Sequence, residues 1–264
     1  MTAPLPQCVI FHVPHDSTDV PEEVRHQFAL SESDLADELV KMTDHLTLDL
    51  FTSNVPESQI VRAPVSRLVV DVERFEDDEL EPMSIRGMGA VYLSTSSGKA
   101  LRHPISAEAR RKLIDTWYRP HHLRLESMTQ NLLDRFGQVL LIDAHSFPST
   151  PLPYEDDQHS DRPDICIGTD EFHTPSALAA ALVDSFQNDG FTVKLNSPFS
   201  GALVPIRYYR EDIRVSAAMV EVKRDLYVDE LSGQPSKSFA EMAERIQRCI
   251  STAVNAWAMK EPDT

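Results

Sequence analysis

Two histidines in this chain stand where an apolar run stops. Cys8-Val-Ile-Phe-His-Val13 is closed by Pro14 and followed by His15-Asp16-Ser17. Val139-Leu140-Leu141-Ile142 leads directly into Asp143-Ala144-His145-Ser146. A third run, Ala217-Ala-Met-Val220, carries Glu221 near its end. Short runs of this kind read as strands buried on both faces. In open α/β sheets the carboxyl ends of such strands are where ligands bind. Imidazole is the commonest metal ligand. Two imidazoles and one carboxylate make a three-ligand set for catalytic zinc, with a fourth position open to water. No HExxH occurs, so these donors can meet only if the fold brings them together. The three cysteines, Cys8, Cys166 and Cys249, are far apart and form no CxxC pair. That speaks against a thiolate site or a disulfide framework and fits a reducing cytoplasm.

Other segments have to position these groups. Ser31 offers a helix N-cap followed by acidic residues, and Leu35, Leu39, Met42, Leu46 and Leu50 keep helical spacing to about Phe51. Asp44 lies opposite that stripe. It faces solvent if the helix is continuous and turns inward if Thr43 caps a second helix. Ser66 to Arg74 reads as a buried strand with Arg67 and Arg74 near its ends. Seven residues apart, the two arginines point to opposite faces of a regular strand. Either the strand stops before Arg74 or only one of them reaches a ligand. Residues 106–136 look helical, broken near Pro120, with His121 and His122 directly after it. Residues 149–164 are rich in Ser, Pro, Asp and His and form a long surface loop. A closing amphipathic helix is expected from Ser238 to Met259. Arg86-Gly-Met-Gly89 is not GxGxxG and opens no helix, so it is not read as a nucleotide loop.

Strands alternate with helices and are apolar throughout, which predicts an α/β protein whose sheet is covered on both faces. No repeat, linker or composition break divides the 264 residues, so residues 1–264 are expected to form one domain. A net charge of −17 argues against nucleic acid or anionic lipid as partner, while leaving room for a small anionic substrate bound by local arginines. No apolar run approaches the ~20 residues of a membrane span, and the first residues do not resemble a secretory signal.

Eight segments, in order, carry a family resemblance. They are Val13-Pro-His-Asp-Ser17, Thr43-Asp-His45, Ser66 to Arg74, Tyr118-Arg-Pro-His-His122, Leu141-Ile-Asp-Ala-His-Ser146, Arg162 to Thr169, Asn196 to Gly201 and Val220 to Glu230. Over roughly residues 8–230 the chain resembles the N-formylglutamate amidohydrolase family. The resemblance implies a three-layer α/β/α fold with a mixed, mostly parallel sheet, like that of the zinc exopeptidases. It implies one zinc per chain, with His15 and His145 as ligands and Asp44 as the third. It makes Glu221 the general base and Arg74, Arg67 and His122 the substrate-binding residues, for a small anionic N-acyl amino acid. Of the arginines, Arg74 falls where the family has an Asn-Arg pair. Three positions depart from the family pattern: Asp16 in place of Ser or Thr, Glu73 in place of Asn and Ala202 in place of Gly. They bear on substrate recognition. A metallocarboxypeptidase-like or other amide hydrolase of altered specificity, and an inactive binding relative, remain the alternatives. The sequence carries no expectation for oligomeric state.

Overall fold

The computed structural model describes residues 5–258. Its centre is a six-stranded sheet built from β1 (Val9–Val13), β2 (Ile60–Arg62), β3 (Val139–Phe147), β4 (Ile165–Gly168), β5 (Val193–Leu195) and β6 (Val215–Lys223), in the order β2-β1-β3-β6-β4-β5. All neighbours run parallel except β4 against β6. The sheet is therefore mixed and mostly parallel. The helices are α1 (Glu22–Arg25), α2 (Glu32–Met42), α3 (Thr47–Thr52), α4 (Ala107–Leu113), α5 (Arg119–Phe136), α6 (Ser176–Asn188) and α7 (Phe239–Ala258). Met259, the expected end of the last helix, lies outside the described residues. None of these helices is long and apolar enough to cross a membrane.

Side-chain alternation along the strands sorts the interior. Val9, Phe11 and Val13 of β1, Leu140, Ile142 and Ala144 of β3, and Ala218, Val220 and Val222 of β6 pack with α3, α6 and α7 in one core. The opposite parity, Ile10, Val139, Leu141, Val215 and Ala217, packs with Leu125 and Leu133 of α5 in another. His12, Asp143, His145 and Glu221 continue this second parity toward the carboxyl ends. The polar groups thus share one face of the sheet, beyond the stretch that α5 covers with apolar side chains.

A third core lies off the sheet. Val20, Val24, Leu35 and Met42 pack with Leu68, Val69, Val70, Val72, Tyr92 and Ile114. Here one expectation fails. Ser66 to Arg74 is buried but is not a strand. The backbone closes turns on itself, Val69 N–H to the Ser66 carbonyl and Arg74 N–H to the Asp71 carbonyl, while Asp71 N–H reaches the Ala90 carbonyl. Burial was legible in the apolar run. Its backbone form was not, because its backbone bonds go to its own turns, to the Ala90 carbonyl and to the Arg102 and His122 side chains, and not to a neighbouring strand.

Two further junctions matter. α2 ends at Met42 because Thr43 leaves the helix with ψ of 137°. Leu46 then takes a left-handed φ of 60°, uncommon for leucine, before α3 begins. Asp44 sits in this break and is 2% exposed. The expected break at Pro120 is a change of helix type instead. A five-residue π-helical turn, Ile114–Tyr118, joins α4 to α5 without interruption. Pro120 follows in the first turn of α5, and its missing N–H is accommodated at this π-to-α junction.

Gly168 ends β4 against the loop after β5. A Cβ there would lie 2.3 Å from the Gly201 carbonyl oxygen and 2.4 Å from Met219 Cε. Gly168→Ala is expected to cost about 1–3 kcal/mol through overpacking, read as a lower denaturant midpoint at unchanged slope.

Candidate active site

Each ionisable group arrives by a different route. Pro14 stops β1, and His15 follows, its carbonyl accepting the Asp44 N–H. That bond ties the end of β1 to the break between α2 and α3. His145 and Asp143 stand two apart on β3 and so share a face. The β3–β6 register sets His145 opposite Glu221, and the β1–β3 register sets His12 opposite Asp143.

Asp44, His15 and His145 come together. Asp44 Oδ2 is 3.1 Å from His145 Nδ1 and 3.7 Å from His15 Nδ1. One ligand atom from each of the three lies within 4.8 Å of the others, and all three residues are buried. Zinc bonds of about 2.0–2.1 Å at tetrahedral angles put neighbouring ligand atoms about 3.4 Å apart, so the two measured separations bracket that value. The outer nitrogens are already committed. His15 Nε2 lies 2.8 Å from Asp71 Oδ1, and His145 Nε2 lies 3.1 Å from Asp143 Oδ1. Metal-bound imidazoles characteristically donate their second N–H to a carboxylate, which fixes tautomer and ring orientation. His15 Nδ1 is buried with no hydrogen-bond partner among the described residues. A buried, unpartnered lone pair beside a carboxylate and a second imidazole fits a bound cation.

The surrounding charges hold the donors in place. Arg224 Nη2 donates to Asp44 Oδ1 at 2.7 Å, and the same guanidinium reaches the Lys41 carbonyl and Ser146. Burial would push the Asp44 carboxyl up, but His145, His15 and Arg224 hold it well below the usual carboxylate range. Asp71 is a hub with no exposure. Its Oδ2 takes two bonds from Arg67, at 2.8 and 3.2 Å, and one from the Tyr92 hydroxyl at 2.5 Å. Its Oδ1 receives the Glu73 N–H at 2.9 Å besides His15. Burial is again outweighed, chiefly by Arg67 and His15, and this carboxyl too is held well below its ordinary range.

Glu221 behaves in the opposite way. Its Oε2 is buried with no partner among the described residues, and burial pushes its pKa up to about 8. The neighbouring cations do not neutralise it through a hydrogen bond: Arg224 binds Asp44, and Lys223 sits 3.1 Å from Asp164. An unpaired carboxylate across from His145 can accept a proton.

The remaining expected residues separate. Arg67 is 9% exposed and clamped on Asp71. Arg74 Nε stands 3.8 Å from Asp71 Oδ2 and has no hydrogen-bond partner among the described residues. The opposite-face expectation therefore does not apply, because no strand exists here and both arginines converge on one carboxylate. His122 lies 2.9 Å from the Val72 carbonyl through Nε2, so it props the 72–74 segment. Glu73 Oε1 lies 3.2 Å from His12 Nδ1 and 3.8 Å from His145 Nε2, so its charge meets imidazoles. Asp16, held up to about 6 by burial, borders a cavity of about 420 Å³ together with His45 and Gly233.

The sequence model of the N-formylglutamate amidohydrolase family matches residues 7–228. The chain belongs to that family. A Pseudomonas aeruginosa protein named N-formylglutamate deformylase is 29% identical over 195 residues, covering 71% of this chain and 70% of its own. A Pseudomonas putida protein of the same name is 27% identical over 179 residues, covering 66% and 65%. The chain thus spans about two thirds of the length of the curated relatives it matches. The crystal structure of N-formylglutamate amidohydrolase from Ralstonia eutropha superposes with a TM-score of 0.79 at 18% identity, over 96% of each chain. That of a gene product from Agrobacterium tumefaciens gives 0.67 at 20% identity, over 95% and 92%. These two likenesses show that the fold they share extends over nearly the whole chain.

Four residues that shape the site were not singled out in the sequence: Asp71, Tyr92, His12 and Arg224. The signal for two of them was present. Asp71 and His12 are polar residues inside apolar runs, where burial is costly unless the group is paired.

Proposed function

We propose that this chain hydrolyses the amide bond of an N-formyl or other N-acyl amino acid, N-formylglutamate being the first candidate, with one zinc ion held by His15, Asp44 and His145. The reading takes residues 1–264 as one catalytic domain. The observation that carries it is the donor set itself: three nitrogen and oxygen donors converge, both outer imidazole nitrogens are committed to carboxylates, and an unpaired glutamate stands across the strand. Family membership and the names of the Pseudomonas relatives supply the substrate class.

Held by His15, Asp44 and His145, zinc would supply Lewis acidity toward the amide carbonyl and toward a water whose pKa falls to about 7 in such sites. Glu221 takes the proton of the attacking water and passes it to the departing amine nitrogen. Its raised affinity for a proton suits that exchange, since a general base works best when its pKa lies near the working pH. Asp71 and Asp143 keep the two imidazoles oriented, and Arg224 keeps Asp44 turned inward. Arg74 binds a substrate carboxylate, because its guanidinium retains an uncommitted N–H where that of Arg67 is clamped. Arg67 acts through Asp71, and His122 through the Val72 carbonyl.

A hydrolysis panel over N-formyl, N-acetyl and longer N-acyl amino acids, with and without a chelator, tests the reading. Turnover is expected on at least one monoanionic or dianionic member and is abolished by the chelator. No turnover on any member would favour the inactive binding relative. Arg74→Met is expected to raise KM roughly tenfold or more, in line with the ~1.5–3 kcal/mol of a hydrogen bond to a charged group, with a smaller change in kcat.

A further inference from the structure

A second line of short contacts crosses the molecule beside the donor set. His12 is the next-to-last residue of β1 and has no exposure. Its Nδ1 is 2.8 Å from Asp143 Oδ1, and its Nε2 is 2.8 Å from His121 Nε2 on α5. Asp143 Oδ1 also meets His145 Nε2 at 3.1 Å, and Asp143 Oδ2 accepts the Leu203 N–H at 3.0 Å. A continuous path therefore runs from α5 through His121, His12 and Asp143 to His145.

The protons on this path can be assigned. A ring nitrogen set against carboxylate oxygens must carry a proton, so His12 Nδ1 donates to Asp143. Two ring nitrogens 2.8 Å apart share one proton. Burial, then the neighbouring imidazoles of His12 and His122, push the His121 pKa down to about 2, so His121 is neutral. A backbone hydrogen bond at Arg62 favours its protonated form, which places its single proton away from His12. His12 Nε2 is then the donor, and His12 carries both protons. Burial disfavours that cation, but the hydrogen bond to Asp143 and the Glu73 carboxylate 3.2 Å from Nδ1 outweigh it and raise the pKa to about 9.

The consequence is geometric. Asp143 is gripped by an imidazolium and by a backbone N–H, so its carboxylate cannot rotate. A fixed carboxylate fixes the His145 ring, and with it the direction of Nδ1. We propose that His12 is a positioning residue for the metal donors: as a bridge between His121 and Asp143, it locks the carboxylate that orients His145. The inference rests on the reading of His15, Asp44 and His145 as metal ligands. The competing possibility is a second cation held by His12, Glu73 and Asp143, whose ligand atoms also lie within 4.8 Å of one another. The 2.8 Å separation of His12 Nδ1 from Asp143 Oδ1 is a hydrogen-bond length, well inside the ~3.4 Å that tetrahedral zinc ligands keep.

The test uses the full chain, stripped of metal, and measures zinc affinity by chelator competition together with zinc stoichiometry and thermal melting. Wild type is expected to bind one zinc. His12→Phe is expected to melt cooperatively and bind zinc about 10–100-fold more weakly, the usual effect of losing an outer-shell partner. His12→Asn places an amide N–H near the position of Nδ1 and is expected to restore affinity to within a few-fold. His12→Gln reaches the position of Nε2 and is expected not to. Should His12→Phe fail to fold, the order of Asn above Gln still decides. Unchanged affinity in a folded His12→Phe protein, or Gln equal to or better than Asn, would overturn the assignment. So would two zinc ions in wild type with one lost on mutation. Wild type that binds no zinc would overturn the metal reading as well, an outcome distinct from all the others.

Discussion

Glu221→Gln is expected to lower kcat by about 10²–10⁴-fold, the range a positioned general base contributes, while zinc content and substrate KM stay close to wild type. Glutamine keeps the size of the side chain and removes its ability to accept a proton. The stability of the metal-free protein supplies a second readout with a definite sign. Burial pushes the Glu221 carboxyl from its ordinary 4.5 up to about 8 in the folded protein. A carboxyl raised on folding weakens the fold as it ionises, so stability falls as pH rises from about 4.5 to about 8. The variant has no such group to ionise. Metal-free Glu221→Gln is therefore expected to gain on metal-free wild type between pH 5 and pH 8, seen as a widening gap between the two melting temperatures. Near-wild-type turnover in a zinc-loaded variant would remove Glu221 from the reaction.

Asp44→Ala is expected to combine the loss of zinc with the largest loss of stability among the site variants. Asp44 faces the two imidazoles with Oδ2 and Arg224 with Oδ1, 2.7 Å away. Truncation leaves the Arg224 guanidinium buried, at 5% exposure, without its carboxylate. Breaking a buried pair from one side costs about 3–5 kcal/mol, which for a chain of this size is a fall in melting temperature on the order of 10 °C. Asp44→Asn keeps the side-chain volume and a polar group toward Arg224, so it is expected to melt closer to wild type while still binding zinc poorly. Calorimetry and metal content on the two variants separate the structural role from the coordinating one. The pH dependence has the opposite sign from that of Glu221. The Asp44 and Asp71 carboxyls are held down on folding, so the stability they lend is full above pH ~4 and disappears as pH falls below it.

The strands were legible because their runs are apolar and uninterrupted. β1, β3 and β6 lie where branched residues cluster, and their ends deliver His15, His145 and Glu221 to one edge. Asp44 shows the limit of periodicity. Leu35 to Leu50 keep helical spacing straight through a break, because α2 and α3 both bury the stripe. Only the left-handed Leu46 and the Asp44–Arg224 pair reveal that the chain turns between them. Ser66 to Arg74 failed for a related reason. An apolar run reports burial, and a buried coil whose hydrogen bonds go to its own turns, to Ala90 and to distant side chains looks the same as a strand. The partners of Asp71, Asp143 and Arg224 lie from two to 183 positions away, and distances of that kind are fixed by the fold as a whole.

Zinc dependence through His15, Asp44 and His145 is the proposal on which the others rest. The most direct measurement strips the protein with a chelator, adds zinc back in steps and follows hydrolysis of N-formylglutamate and of the best member of the acyl panel. The account predicts no turnover in the stripped protein, a linear rise on adding zinc, and a plateau at one equivalent per chain. Full turnover in protein shown to hold no metal, or no zinc uptake at all, would contradict it.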